Sequence, residues 1–337
     1  MTKAFMRPVR ESDLGAILAL ARQSGGGMTN LPSDEKALKA KIDFAAASFA
    51  SGATKPGPEV YMTVLECDGA VMGTAGVFSQ VGLKYGFVNY RINREYYFSS
   101  HREKPLMRRV LIPTHDFTGR AEVGQLFISP DARGGGFGKL LARSRYLFIA
   151  QKPEIVADHV CAELRGFRDK DGKQPFWDAV GRHFFEMEFE AADAYNAANG
   201  NQFIEDLMPR YPIYISLLPK EARDCLGRPH DSAAPAYKML MEEGFQYNDY
   251  IDVFDGGPLV DAKVTTLRTI RESRVLTVKG VTDAEAGDDA LLAAGAVTTF
   301  RCCRAKAAVE GDEIAIDAAT AKALNVEKGS AVRWAKW

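Results

Sequence analysis

The sequence predicts an α/β (α+β) chain, with strands and helices interleaved along most of its length and a small β-rich appendage at its C-terminal end. Three observations carry this prediction. Residues 60–66 and 71–80 read as two strands joined by Cys67-Asp68-Gly69-Ala70, an Asp-Gly hairpin turn. Residues 122–128 set Val123, Gln125 and Phe127 against Gly124, Leu126 and Ile128. Both sets are largely apolar, the pattern of a central strand buried on two faces. After about residue 262 the texture changes to short strands and turns.

Taken in order, a first strand covers residues 5–9. Ser12 or Asp13 then caps a helix carrying Leu14, Ile17, Leu18 and Ala21 at helical spacing. Gly25-Gly26-Gly27 stops it, a reading at least as good as a ligand loop. Ser33 or Asp34 starts a second helix through Ala37, Ile42 and Ala46. Residues 113–119 are a turn-rich connection. A helix runs from Lys139 to about Gln151, with Leu140, Leu141, Ser144, Leu147 and Phe148 on one face. Residues 160–164 form a strand, 175–181 a short helix, and 184–189 a strand candidate. Residues 203–208, 219–226 and 233–243 read as helices, the last stopped by Gly244. Residues 245–254 alternate into the reversal Asp255-Gly256-Gly257-Pro258. In the tail, residues 298–304, 312–316 and 331–334 read as strands, with Asp317 capping a helix at 318–324.

The composition narrows function. The chain has 337 residues, 46% hydrophobic and 26% charged, with a formal net charge of −1. Its length suits two or three packed units, and its charge gives no reason to expect nucleic acid or an anionic membrane as partner. No apolar run approaches the ~20 residues that span a bilayer, and the first residues do not form a secretory signal. Five cysteines without paired spacing fit free thiols in a reducing cytoplasm, and no metal site is expected.

The chemistry is concentrated in Arg133-Gly134-Gly135-Gly136-Phe137-Gly138, between the strand at 122–128 and the helix after it. It is not a P-loop, because Arg133 stands where the first Gly should be and Leu140 where the hydroxyl should be. It is not a dinucleotide fingerprint either, because Lys139 replaces the third Gly. What fits is Arg-x-x-Gly-x-Gly at a strand-to-helix junction. Glycines let the backbone pass close to a pyrophosphate, their N–H groups converge on it at the positive end of the helix, and Arg133 adds a charge-assisted bond. A tight turn without a ligand would seldom need so many glycines.

This arrangement resembles the acyl-CoA motif of GNAT acyltransferases. The resemblance implies a mixed, mainly antiparallel sheet flanked by helices. It also implies that the strand at 122–128, with Leu126, holds the pantetheine arm through its backbone, one N–H polarising the thioester carbonyl. A narrower resemblance runs from about residue 6 to 275. Ser24-Gly25-Gly26-Gly27-Met28-Thr29-Asn30-Leu31-Pro32, Ala162-Glu163-Leu164-Arg165-Gly166, Pro175-Phe176-Trp177 and Tyr250-Ile251-Asp252-Val253-Phe254-Asp255-Gly256-Gly257-Pro258 are similar to segments of bacterial arginine N-succinyltransferases. It implies an acyl-CoA-binding core at 1–190, a helical extension with a completing strand at 191–261, and a β-rich C-terminal domain at 262–337. It further implies succinyl-CoA as co-substrate, the α-amine of arginine as acceptor, and a homodimer or a heteromer with a paralogous subunit.

Among the five histidines, His101, His159 and His183 fall in polar or structural contexts. From the residues alone His230, in Gly227-Arg228-Pro229-His230-Asp231, ranks only slightly above His115 as the group that moves a proton. The resemblance puts His230 clearly ahead. The tyrosine that many GNAT enzymes use is replaced at the two candidate positions by Trp177 and Leu240, so another group must serve. Arg91 and Arg165 are candidates for a succinyl carboxylate, and Asp116, Glu122 and Glu163 for the acceptor guanidinium. Two other readings stay open: a different acyl-CoA or amine, or a non-catalytic acyl-CoA-binding subunit.

Overall fold

The computed structural model describes residues 4–24, 30–282 and 286–337; Gly25-Gly26-Gly27 lie outside the described residues. The chain begins β1 (Phe5–Pro8), α1 (Leu14–Gln23), α2 (Glu35–Ala50), β2 (Val60–Cys67), β3 (Ala70–Phe78), β4 (Asn89–Tyr97), β5 (Leu106–Thr114), β6 (Ala121–Ile128), α3 (Phe137–Gln151) and β7 (His159–Glu163). Next come α4 (Arg182–Phe185), α5 (Phe189–Asn199), α6 (Gln202–Leu207), β8 (Ile213–Tyr214), α7 (Lys220–Cys225), α8 (Ala234–Glu243), β9 (Gln246–Asp252) and β10 (Pro258–Lys263). The last stretch holds α9 (Arg268–Glu272), β11 (Arg274–Thr282), β12 (Asp288–Ala294), β13 (Arg301–Glu310), β14 (Glu313–Asp317), α10 (Ala318–Leu324) and β15 (Ala331–Lys336).

The mixed α/β architecture is the one expected. All the strands join one sheet in the order β12-β15-β11-β14-β13-β1-β2-β3-β6-β7-β10-β9-β4-β5-β8. Its pairs are antiparallel except β6–β7 and β11–β14. Local chemistry explains the boundaries. Asp68 and Gly69 both take left-handed φ (49° and 81°), the conformation a two-residue hairpin turn requires. The Asp34 side chain accepts the Ala37 N–H and caps α2, Asp317 does the same for α10 through Thr320 N, and Gly244 (φ 112°) ends α8.

Two local expectations are overturned. Neither Ser12 nor Asp13 caps α1 through its side chain. The buried Asp13 carboxylate instead accepts Arg7 Nη1 and Nη2 at 2.7 and 2.9 Å and the Arg10 N–H at 2.8 Å. Residues 184–189 are not a strand but the end of α4, a left-handed Glu186 and the start of α5. Phe185 ends α4 and Phe189 begins α5, and both pack on Trp177 across the turn at Glu186. The β4–β5 hairpin was not anticipated; its mixed charges, from Arg91 to Arg109, mask the alternation.

The C-terminal strands touch the rest of the sheet through one pair, Met6 opposite Cys302. The core is more continuous than that seam. Leu140, Leu141 and Leu147 of α3 share a cluster with Val77 and Val123 on one side and with Leu291, Ala293, Phe300 and Ala335 on the other. α3 is therefore held between the two parts of the sheet.

Candidate active site

The parallel strands β6 and β7 pair only at Ala121–Val160 and Glu122–Cys161. Beyond that their facing edges separate, while β6 stays bonded to β3 and β7 to β10. The gap opens toward the C-terminal ends of both strands, where parallel sheets present ligand sites. A bulge lies on the β6 side of it: Gln125 and Leu126 together oppose the single residue Ala75. Gln125 has φ 54°, and a Cβ on Gly76 would stand 2.2 Å from its Oε1, so the neighbouring strand needs glycine there. A bulge leaves backbone off the ladder, here at the half-buried Leu126 named for the thioester.

The glycine loop follows β6 directly. Gly134 (φ 92°) and Gly136 (φ 78°) hold conformations that a side chain would strain. Gly136 is the N-cap of α3 and supplies no side chain to the helix's first N–H groups. A Cβ on Gly138 would meet nothing within 4 Å, so the surface above the first turn is open to a ligand. Arg133, Gly134 and Gly135 are exposed, and Gly136 and Gly138 half-buried. The loop is shaped to hold an anion by backbone donors.

His230 sits past the end of β7, at the same end of the sheet. Its N–H donates to Arg165 O at 2.8 Å. Its Nδ1 accepts the Ser232 N–H at 3.1 Å and lies 2.7 Å from Ser232 Oγ. That assignment places the neutral ring's proton on Nε2. Partial burial, then Arg165 and Arg168, hold the imidazole below its ordinary range. Behind it are three carboxyls. Asp255 accepts Gly166 N–H (2.7 Å) and Gly257 N–H (2.8 Å), Asp252 accepts Phe254 N–H (2.7 Å), and Glu163 accepts Asn89 Nδ2 (2.8 Å). Burial and the neighbouring Asp255 push Asp252 up to about 7; burial, Asp252 and Glu122 push Glu163 up as well.

Across the gap, Glu122 is 4% exposed and takes Asn30 Nδ2 at 3.3 Å. Burial raises it to about 7, opposed by Asn30, Lys41 and Arg145. Glu122 and Glu163 thus flank the gap, one on each strand, and Arg165 stands beside His230. The other candidates lie elsewhere. Arg91 and Asp116 meet around Tyr250 in a separate cavity of about 440 Å³. His115 forms an exposed pair with Glu205 at 3.2 Å. Trp177 and Leu240 are core residues, Trp177 stacked on Phe185 and Phe254. Sequence reasoning missed Asn89 and Ser232, and took Asp252 only as part of a strand and Asp255 only as part of a turn. Their signal was two Asp three residues apart, one at the start of a reversal and one within it, beside two glycines.

The family model for the arginine N-succinyltransferase beta subunit matches residues 4–269, and that for its C-terminal domain matches residues 274–336. The chain belongs to the arginine N-succinyltransferase family. It is 38% identical to the arginine N-succinyltransferase subunit beta of Pseudomonas aeruginosa over 334 residues, covering 98% of this chain and 97% of that one. It is 36% identical to the arginine N-succinyltransferase of Escherichia coli, covering 97% and 96%. The solved structure of arginine/ornithine succinyltransferase subunit AI from Pseudomonas aeruginosa superposes with a TM-score of 0.90 at 33% identity, covering 100% of this chain and 99% of that one. Family membership makes the chain an acyltransferase, which implies an acyl-CoA as co-substrate. No helix among the described residues is long and apolar enough to cross a membrane.

Proposed function

We propose that the chain transfers the succinyl group of succinyl-CoA to the α-amine of L-arginine. The observation that carries this is the gap between β6 and β7, with the glycine loop past the end of β6 on one side and His230 past the end of β7 on the other. The glycine loop, with Arg133, Gly134, Gly135, Gly136 and Gly138, takes the pyrophosphate. The pantetheine arm lies along the open edge of β6, and an amide at the Leu126 bulge faces the thioester oxygen. The amine nitrogen attacks the carbonyl carbon, the tetrahedral intermediate collapses, and the carbon–sulfur bond breaks. The amine loses one proton and the CoA thiolate gains one. His230 as imidazolium gives its Nε2 proton to the thiolate, while Nδ1–H donates to Ser232 Oγ. The proton shed by the amine returns to Nε2 and restores the imidazolium.

Acidic groups beside the gap suit a cationic acceptor. Glu163 and Glu122 are positioned to meet a guanidinium, a charge that would also favour their ionised forms. Arg165 is the nearest candidate for the succinyl carboxylate. The five free thiols support a cytoplasmic location, and a multimer, as a homodimer or with a paralogous subunit, fits the "subunit" names of the relatives. Thiol release measured across a panel of acyl-CoAs and amines tests the assignment. Succinyl-CoA with L-arginine is expected to give the highest kcat/KM; turnover with acetyl-CoA and none with succinyl-CoA would sink it.

A further inference from the structure

The C-terminal unit reaches the glycine loop from the side opposite β6. A Cβ on Gly136 would stand 3.4 Å from Arg304 Nη1 and 3.4 Å from the Trp337 ring. Arg304 lies on β13, and Trp337 follows β15. Asp289 holds the Arg304 guanidinium through Nε (3.3 Å) and Nη2 (2.9 Å), which leaves Nη1 turned toward the loop. Trp337 N donates to Asp289 O at 3.2 Å and anchors the indole beside it. Lys139, in the first turn of α3, places Nζ 4.6 Å from the indole centroid, and Arg304 Cζ is 4.8 Å from the same centroid.

One ring thus carries two cations, drawn to its π-face but repelling one another. More positive charge lies nearby. Burial, then Arg143 and Arg268, with Arg304 adding to them, holds the Lys139 ammonium below its ordinary range, against Glu242. Arg143 is 6% exposed and leaves Nη1 without a hydrogen-bond partner. Asp289 and Glu243 offset part of this charge, and a bound anion at the helix N–H groups would offset more of it.

We propose that Arg304 and Lys139, held on the Trp337 indole, bind a phosphate of the acyl-CoA, so that the C-terminal unit forms part of the donor site. This rests on the acyl-CoA reading of the glycine loop. Two phosphate positions of the donor have the required chemistry, the pyrophosphate and the 3′-phosphate on its ribose. Titration calorimetry on the full chain, with CoA and with 3′-dephospho-CoA, tests it. Arg304→Gln removes one charge, while Lys139→Met leaves the Arg304–Asp289 pair in place and serves as the second variant. Each is expected to weaken CoA binding about tenfold, the size of one charge-assisted hydrogen bond. If that loss disappears with 3′-dephospho-CoA, the ligand is the 3′-phosphate; if it persists, the pyrophosphate. Unchanged CoA affinity in both variants, with the wild type binding normally, would overturn the subsite. A wild type that binds no CoA would overturn the loop reading beneath it.

Discussion

The two sides of the gap are built by opposite means. At the donor side six consecutive residues, 133–138, present backbone N–H groups and open space, and side chains enter mainly from the edges. At the proton-transfer side the backbone is scaffolding, and side chains from four separate segments converge: Asn89, Glu163 with Arg165, His230 with Ser232, and Asp252 with Asp255. A site made of backbone resists most substitutions but is sensitive to an added Cβ. A site made of side chains depends on each group's charge state, which its neighbours tune.

The sharpest way to break this comparison is His230→Ala. If the side chain moves the proton, kcat falls about 10²- to 10⁴-fold while CoA affinity is kept. Turnover of succinyl-CoA with arginine at the wild-type rate would show that the proton-transfer side does no chemistry. A smaller effect is expected in stability against pH at Glu122→Gln. Burial raises the Glu122 carboxyl from 4.5 to about 7, so between those values the folded chain binds more protons than the unfolded one. This contribution is fully present below pH 4.5 and is lost as pH rises through about 7. Gln cannot titrate, and urea melts across that window should show a flatter profile for the variant; equal slopes would count against a buried, protonated Glu122. The smallest effect belongs to Gly138→Ala. With no atom within 4 Å of the new Cβ, the free chain should gain up to ~1 kcal/mol from helix propensity. CoA should nevertheless bind about tenfold more weakly, since a methyl group would occupy the ligand's path. A raised melting temperature with unchanged CoA affinity would place that path elsewhere.

The same contrast explains what the sequence disclosed. The hairpin at Asp68-Gly69, the helix after Asp34, the helix after Asp317 and the glycine loop depend on neighbours a few residues away, and each was legible. Asp13 looked like a cap because Arg7 could not be seen beside it. Asp252 looked like a strand residue and Asp255 like a turn residue, and both are; the role of Asp255 beside β7 depends on Gly166, about ninety residues earlier. Arg91 and Asp116 had the right charges but fold into another cavity. Burial and long-range pairing, which set the pKa of Glu122 and Glu163, leave no local pattern. His230 was separated from His115 only by family resemblance, and the structure adds Arg165 and Ser232 as its partners.

The bulge on β6 works as a key in a keyway. Gln125, on the bulge opposite Ala75, lays its side-chain amide over the neighbouring Gly76, which has no Cβ to meet it. Sliding β6 against β3 by one position would drive Gln125 into a neighbour with a side chain. The amide at Leu126 is therefore indexed by a steric stop within the sheet and not by the length of the chain that joins the strands. That chain, residues 79–120, carries the whole β4–β5 hairpin. Changes of its length can be taken up away from β6, while Asn89 within it stays bonded to Glu163.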